Sequence, residues 1–232
     1  MATEIFKSGE LLLRETPSGA ESLSGSLPVL EVVTVGVFIL LAIVVMKNFL
    51  SIIPSLWDSV FRARGSAALE NSVRISRDRN TVASVLIFAA VLLMYKYRLW
   101  APDFTEGMEG NTWLLLCWGV FLGYLLLRYI MYLIFLPARK DYYAIARRAG
   151  FTFFIFALII ILPVVGVLEI FSVNIFTIRT VILTILSVVF LVFLVRKCQI
   201  LGSSFYPLRV FLYLCALELM PAAALVVTGT VL

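Results

Sequence analysis

The sequence predicts an all-α, polytopic membrane helix bundle of about six transmembrane helices plus an interfacial amphipathic helix, and three observations carry that prediction. Of 232 residues, 62% are hydrophobic and 14% charged, against about 45–50% and about 25% in an ordinary soluble domain. That excess does not fit inside one water-soluble core, and it is the opposite of what disordered chains and disulfide-framed secreted domains carry. The apolar residues are also gathered into runs at 29–46, 82–97, 113–136, 151–168, 176–195 and 210–232, each near the length of about 20 residues that a helix needs to cross hydrocarbon. Finally, basic residues crowd one set of the intervening segments and avoid the other.

Residues 1–27 carry Glu4, Glu10, Glu15 and Glu21 and become Ser-, Gly- and Pro-rich after Thr16. The apolar stretch 11–13 is far too short for a signal-peptide core, so a flexible acidic tail without a cleaved signal is expected. Residues 28–232 then form a single transmembrane domain. The polar piece 48–80 after the first span is too short to fold independently. Within it Ile53, Trp57, Val60 and Phe61 recur at helical spacing opposite Ser55, Asp58 and Arg62, with Asp58 and Arg62 placed as an i,i+4 pair. This spacing predicts an interfacial helix beginning near Pro54, whose basic continuation to Arg79 either sets topology, meets anionic headgroups or docks a partner.

The second span ends polar at Lys96 and Arg98, where Tyr95, Tyr97 and Trp100 are expected to form an interfacial aromatic belt. Pro163 with Gly166 predicts an irregularity in the fourth span, and an ion pair of Glu169 with Arg179 is expected to close the hairpin between the fourth and fifth. In the sixth, Pro221 releases the carbonyl of Leu217, which predicts a kink beside Glu218. The third and sixth spans each hold one charge, but at unequal depth, so no internal repeat is expected.

Lys and Arg are retained on the cytoplasmic side during insertion. Thirteen of the basic residues fall on one face: Lys47, Arg62, Arg64, Arg74, Arg77 and Arg79, then Arg139, Lys140, Arg147 and Arg148, then Arg196, Lys197 and Arg209. Five fall on the other: Lys7, Arg14, Lys96, Arg98 and Arg179. The bias puts both termini outside.

The chain has no histidine, which excludes His-based acid–base catalysis, His-built zinc sites, Ser-His-Asp and Cys-His arrangements and His-ligated haem. Cys117, Cys198 and Cys215 have no metal-ligand spacing and read as buried small hydrophobes. With no HExxH, P-loop or GxSxG elbow either, no enzyme activity, cofactor, metal or nucleic acid is expected. The expected partners are the lipid bilayer and other membrane proteins, or a second copy of the chain.

What is left is Arg128, a charge deep within the third span that costs at least about 2.5–3.5 kcal/mol to insert unpaired. Arg128 lies eleven residues from Arg139, about 16 Å, and Glu218 lies nine from Arg209, about 13 Å, at 1.5 Å per residue. Their depths match, and pairing relieves both penalties through charge-assisted hydrogen bonds, which predicts an Arg128–Glu218 contact between helices three and six. Tyr124, Arg128 and Tyr132 share one face at i,i+4 spacing, and Cys215, Glu218 and Ala222 share another that permits close approach. The pair serves either as an interhelical tie or as a substrate, lipid or proton site.

The run Phe211, Leu212, Tyr213, Leu214, Cys215, Ala216, Leu217, Glu218, Leu219, Met220 and Pro221 resembles the closing signature of a bacterial inner-membrane family known only as a domain of unknown function. The basic segment after the first span, the Tyr- and Arg-bearing third helix and the Leu162, Pro163 region are similar in order and spacing. The resemblance implies a multi-span envelope protein and marks Tyr213, Cys215, Glu218 and Pro221 as motif positions, with no activity attached. Two functions follow: a non-catalytic scaffold or assembly factor of an envelope complex, or a small-solute or proton-coupled transporter that uses Arg128 and Glu218.

Overall fold

A computed structural model of the chain describes residues 29–61, 73–105, 107–134, 140–202 and 207–231. The acidic 1–27 tail, the Asp58–Arg62 pair and the loop residues Arg64 and Arg139 lie outside the described residues or side chains. The helices are α1 (Val29–Phe61), α2 (Val73–Lys96), α3 (Gly110–Ile134), α4 (Lys140–Ile170) and α5 (Ile175–Gly202), followed by a last span in three pieces. Those pieces are α6 (Pro207–Leu214), a π-helical turn (Cys215–Leu219) and α7 (Met220–Val231). Among the described residues six helical segments are long and apolar enough to cross a membrane, and they fall where the apolar runs place them. The chain is a multi-pass membrane protein.

Hydrocarbon offers no partner to a free N–H or C=O, so each span satisfies its backbone internally. Hydroxyls on the lipid-facing side of α5 follow the same rule. Thr180, Thr184 and Ser187 donate back to the carbonyls of Phe176, Thr180 and Leu183 at 3.0, 2.8 and 2.8 Å, which makes exposed polar side chains compatible with lipid.

The expected interfacial segment is helical, but it does not begin afresh near Pro54. α1 runs through that proline for 33 residues, about 50 Å at 1.5 Å per residue, against a hydrocarbon core about 30 Å thick. Ile53 and Trp57 are exposed, while Ile52 and Leu56, one position earlier in register, are the buried pair. Burying Ile52 and Leu56 in the core outweighs the one backbone hydrogen bond that Pro54 removes, so the helix continues. Much of the polar piece 48–80 is therefore helix, as extensions of α1 and α2. Arg79, assigned to a loop by sequence, is buried in α2, where its Nη2 donates to Ser76 Oγ at 3.3 Å and Asn80 Oδ1 at 3.4 Å.

The main core is built by α1, α2, α4 and α5, around residues such as Ile52, Val82, Ala89, Ile155, Ile161 and Ile182. α3 and the last span stand beside this four-helix unit. Two smaller clusters join them to it, one at each end of the bundle. At one end Trp100, Trp113, Leu114 and Cys117 pack together with Val91 and Met94. Here the belt expected of Tyr95, Tyr97 and Trp100 turns inward: Tyr97 and Trp100 are buried, Tyr95 is half-buried and Trp113 is buried beside them, because their polar tips find protein partners. Trp100 donates to Thr228 Oγ1 at 3.1 Å, Trp113 donates to the Tyr95 carbonyl at 3.2 Å, and the two indoles stack nearly parallel.

Glu169 does not close the α4–α5 hairpin with Arg179. Its carboxylate takes Lys96 at 2.5 Å and accepts the Tyr97 hydroxyl, tying the end of α4 to the end of α2. Burial, with the carboxylate as a second cause, raises the Tyr97 phenol well above its usual range. Pro163 does not interrupt its helix, since α4 is continuous from Lys140 to Ile170. At the other end of the bundle, Tyr132, Leu201, Val210, Tyr213, Leu214 and Leu217 form the second small cluster. The candidate site sits inside it.

Candidate functional site

The last span departs from α-geometry at its charge. The N–H of Met220 reaches back five residues to the Cys215 carbonyl, closing a π-helical turn over Cys215–Leu219. Pro221, next in sequence, has no N–H to continue an i→i−4 ladder, so the carbonyls ahead of it are free to shift partners. The sequence predicts a kink here; the structure makes it a π-turn. The widened turn carries Glu218 inward, to 2% exposure.

Three donors converge on Glu218 Oε1. Arg128 Nη2 of α3 lies 3.0 Å away, the Tyr132 hydroxyl one turn along α3 donates at 2.7 Å, and Lys197 Nζ of α5 completes the set with an ion pair. Lys197 also donates to the Tyr132 oxygen at 2.8 Å, so that hydroxyl accepts from the lysine while it donates to the carboxylate. The lysine ammonium further stands 4.7 Å from the Phe193 ring centroid, a favourable place for a desolvated cation. Glu218 thus ties α3, α5 and the last span together through one oxygen.

The expected Arg128–Glu218 contact is present. Of the other predicted site residues, Tyr132 joins the cluster directly, and Tyr213 packs in the hydrophobic shell around it. Tyr124 lines the crevice beside Arg128, Pro221 is buried and follows the π-turn, and Cys215 is half-buried at its start. Cys117 is buried as expected, whereas Cys198 is exposed. Among the described residues no group of His, Cys, Asp or Glu is arranged to hold a metal.

Lys197 is the residue that the sequence assigns wrongly. Beside Arg196 it reads as one of a basic pair in a loop, yet α5 continues to Gly202 and makes Lys197 fully buried. A signal was there: Val189, Phe193 and Leu201 are apolar at four-residue spacing, and Lys197 occupies the same stripe, while Arg196 points away to bond Gln199. Gly150 of α4 is the second omission. A Cβ there would stand 2.6 Å from Arg128 Nη2, so any larger residue has to displace the guanidinium from its place.

Next to the cluster, a crevice of about 240 Å³ opens between α2, α3, α4 and α5. Arg128, Glu218, Tyr124 and Gly150 line one end, and the remainder of its wall is apolar, rich in phenylalanine.

A family model described as a domain of unknown function, DUF4271, matches residues 31–227, and the chain belongs to that family. No curated protein and no solved structure matches the chain.

Proposed function

We propose that this DUF4271 protein is a non-catalytic scaffold or assembly factor of an envelope complex, set in a bacterial inner membrane with both termini in the periplasm. One observation carries the reading: Lys197 is fully buried and Glu218 nearly so, and the carboxylate oxygen is already engaged by three donors from two other helices. A carrier's carboxylate must exchange its proton or ligand through an accessible path. A carboxylate so held serves instead to fix α3, α5 and the last span in one arrangement, which is what a partner-binding membrane surface requires. The histidine-free composition supports a non-enzymatic protein, and the bias of basic residues, eleven to five once the buried Arg79 and Lys197 are set aside, supports a basic cytoplasmic face.

The π-turn and Pro221 favour a second reading, a small-solute or proton-coupled transporter, since broken helices mark ion and substrate sites in transporters. Affinity purification of the full chain in mild detergent separates the two. The scaffold reading expects membrane proteins at stoichiometric ratio after stringent washing. A protein that purifies alone and changes proton flux when reconstituted in liposomes overturns it.

A further inference from the structure

We propose that the crevice between α2, α3, α4 and α5 holds the carboxyl-end half of a long-chain fatty acid, with its carboxylate on the guanidinium of Arg128 and the rest of its chain extending into the bilayer. This goes beyond the scaffold reading and stands independently of it.

Charge points to the head group. Among the described residues the cluster holds two cations, Arg128 and Lys197, against one carboxylate, Glu218, and an excess positive charge in a low-dielectric interior favours a monoanion beside it. Arg128 is the cation on the crevice wall; Lys197 is enclosed behind it. The guanidinium has donors to spare. A guanidinium carries five N–H groups in a fork that matches a carboxylate; here Nη2 serves Glu218, and the buried Nε meets no acceptor among the described residues. Glu218 also lines the crevice, but the three donors gathered on its Oε1 offset its repulsion of an incoming anion.

Shape points to the tail. From Arg128 on α3 and Gly150 on α4 the crevice runs past Phe121, Ala157 and Leu186, seven residues along each of α3 and α4, about 10 Å at 1.5 Å per residue. Apart from its charged end the wall is aromatic and aliphatic. Phe151 and Leu186 on its rim are 44% and 37% exposed on the outside of the bundle, so a chain can enter sideways from the bilayer. Polarity agrees as well: the charged end lies nearer the basic ends of the helices and the apolar part leads toward mid-membrane, the orientation an amphiphile has in the leaflet on that side. A phosphate head of higher charge would overcompensate the single excess cation, and a neutral or zwitterionic head would leave it uncompensated.

The test uses the full chain in nanodiscs of zwitterionic phospholipid, with palmitic acid carrying a mid-chain diazirine as probe. After irradiation, mass spectrometry is expected to place the label on Phe121, Ala157 or Leu186. The methyl ester of the same probe is expected to label these positions about tenfold less, the loss of one charge-assisted contact, and Arg128→Gln to do the same to the acid. Ala157→Trp, which fills the apolar part away from the charges, is expected to abolish labelling. Equal labelling by acid and ester overturns the proposal, as does label spread over lipid-facing positions of α1 such as Val33 and Leu40. Equal competition by a single-chain phosphate amphiphile also overturns it. The acid-to-ester comparison is made on the unaltered protein, so the proposal stays testable where a variant fails to fold.

Discussion

Glu218→Gln is expected to lower the melting temperature of the purified protein sharply, by the equivalent of about 3–5 kcal/mol, the cost of stranding a buried charge. Glutamine keeps the size and one carbonyl oxygen, so packing is nearly preserved. What disappears is the only negative charge among the described groups that face Lys197 and Arg128. Lys197 is 0% exposed and cannot reach water, so the loss falls mainly there. The single changes at the cations are expected to be much milder. Arg128→Gln leaves Lys197 and Glu218 as a neutral pair, and Lys197→Met leaves Arg128 and Glu218 as one, still bonded through Tyr132. Thermal melts of the three variants in one detergent, followed by tryptophan fluorescence, check this order. Equal effects of all three would refute the shared-carboxylate geometry.

Gly150→Leu is the second large effect. Its Cβ falls 2.6 Å from Arg128 Nη2, and the rest of the side chain claims the volume that the guanidinium fills. Moving Arg128 lengthens its bond to Glu218 while leaving Lys197 in place, and the expected loss is about 3 kcal/mol, the upper part of the overpacking range. Gly150→Ala distinguishes this cause from a general sensitivity of α4. In the unaltered protein the displacement of Arg128 exceeds the gain of about 1 kcal/mol that alanine brings to a helix, and the variant melts lower. In an Arg128→Gln background the obstruction is gone, and Gly150→Ala is expected to raise the melting temperature. The change of sign is read from the same melts.

The spans were legible because hydrocarbon imposes one rule on every residue inside it, and runs of apolar residues obey that rule without reference to tertiary contacts. The Arg128–Glu218 contact was legible for the same reason: two costly charges at equal depth have few other solutions. Ambiguity began where helices leave the membrane. Sequence treats Arg79 and Lys197 as topology marks because they stand beside other basic residues, yet α2 and α5 extend far enough to bury both. Hydropathy averages over a window and is blind to one buried lysine in a four-residue stripe. Pro54 misled in the opposite direction: it weakens a helix locally, but surrounding burial holds α1 continuous, as α4 is continuous through Pro163. Pro221 did mark a real departure, since it follows the turn that must bring Glu218 to three donors.

Glu218 acts as a structural tie whose chief counter-charge is Lys197. A double-mutant cycle on these two residues, read as melting temperature in detergent, tests it most directly. Glu218→Gln with Lys197→Met is expected to recover most of the stability that Glu218→Gln alone removes, because the remaining cation, Arg128, retains 20% exposure of its side chain. A Glu218→Gln protein that melts with the unaltered one, or a double variant no more stable than Glu218→Gln, contradicts it.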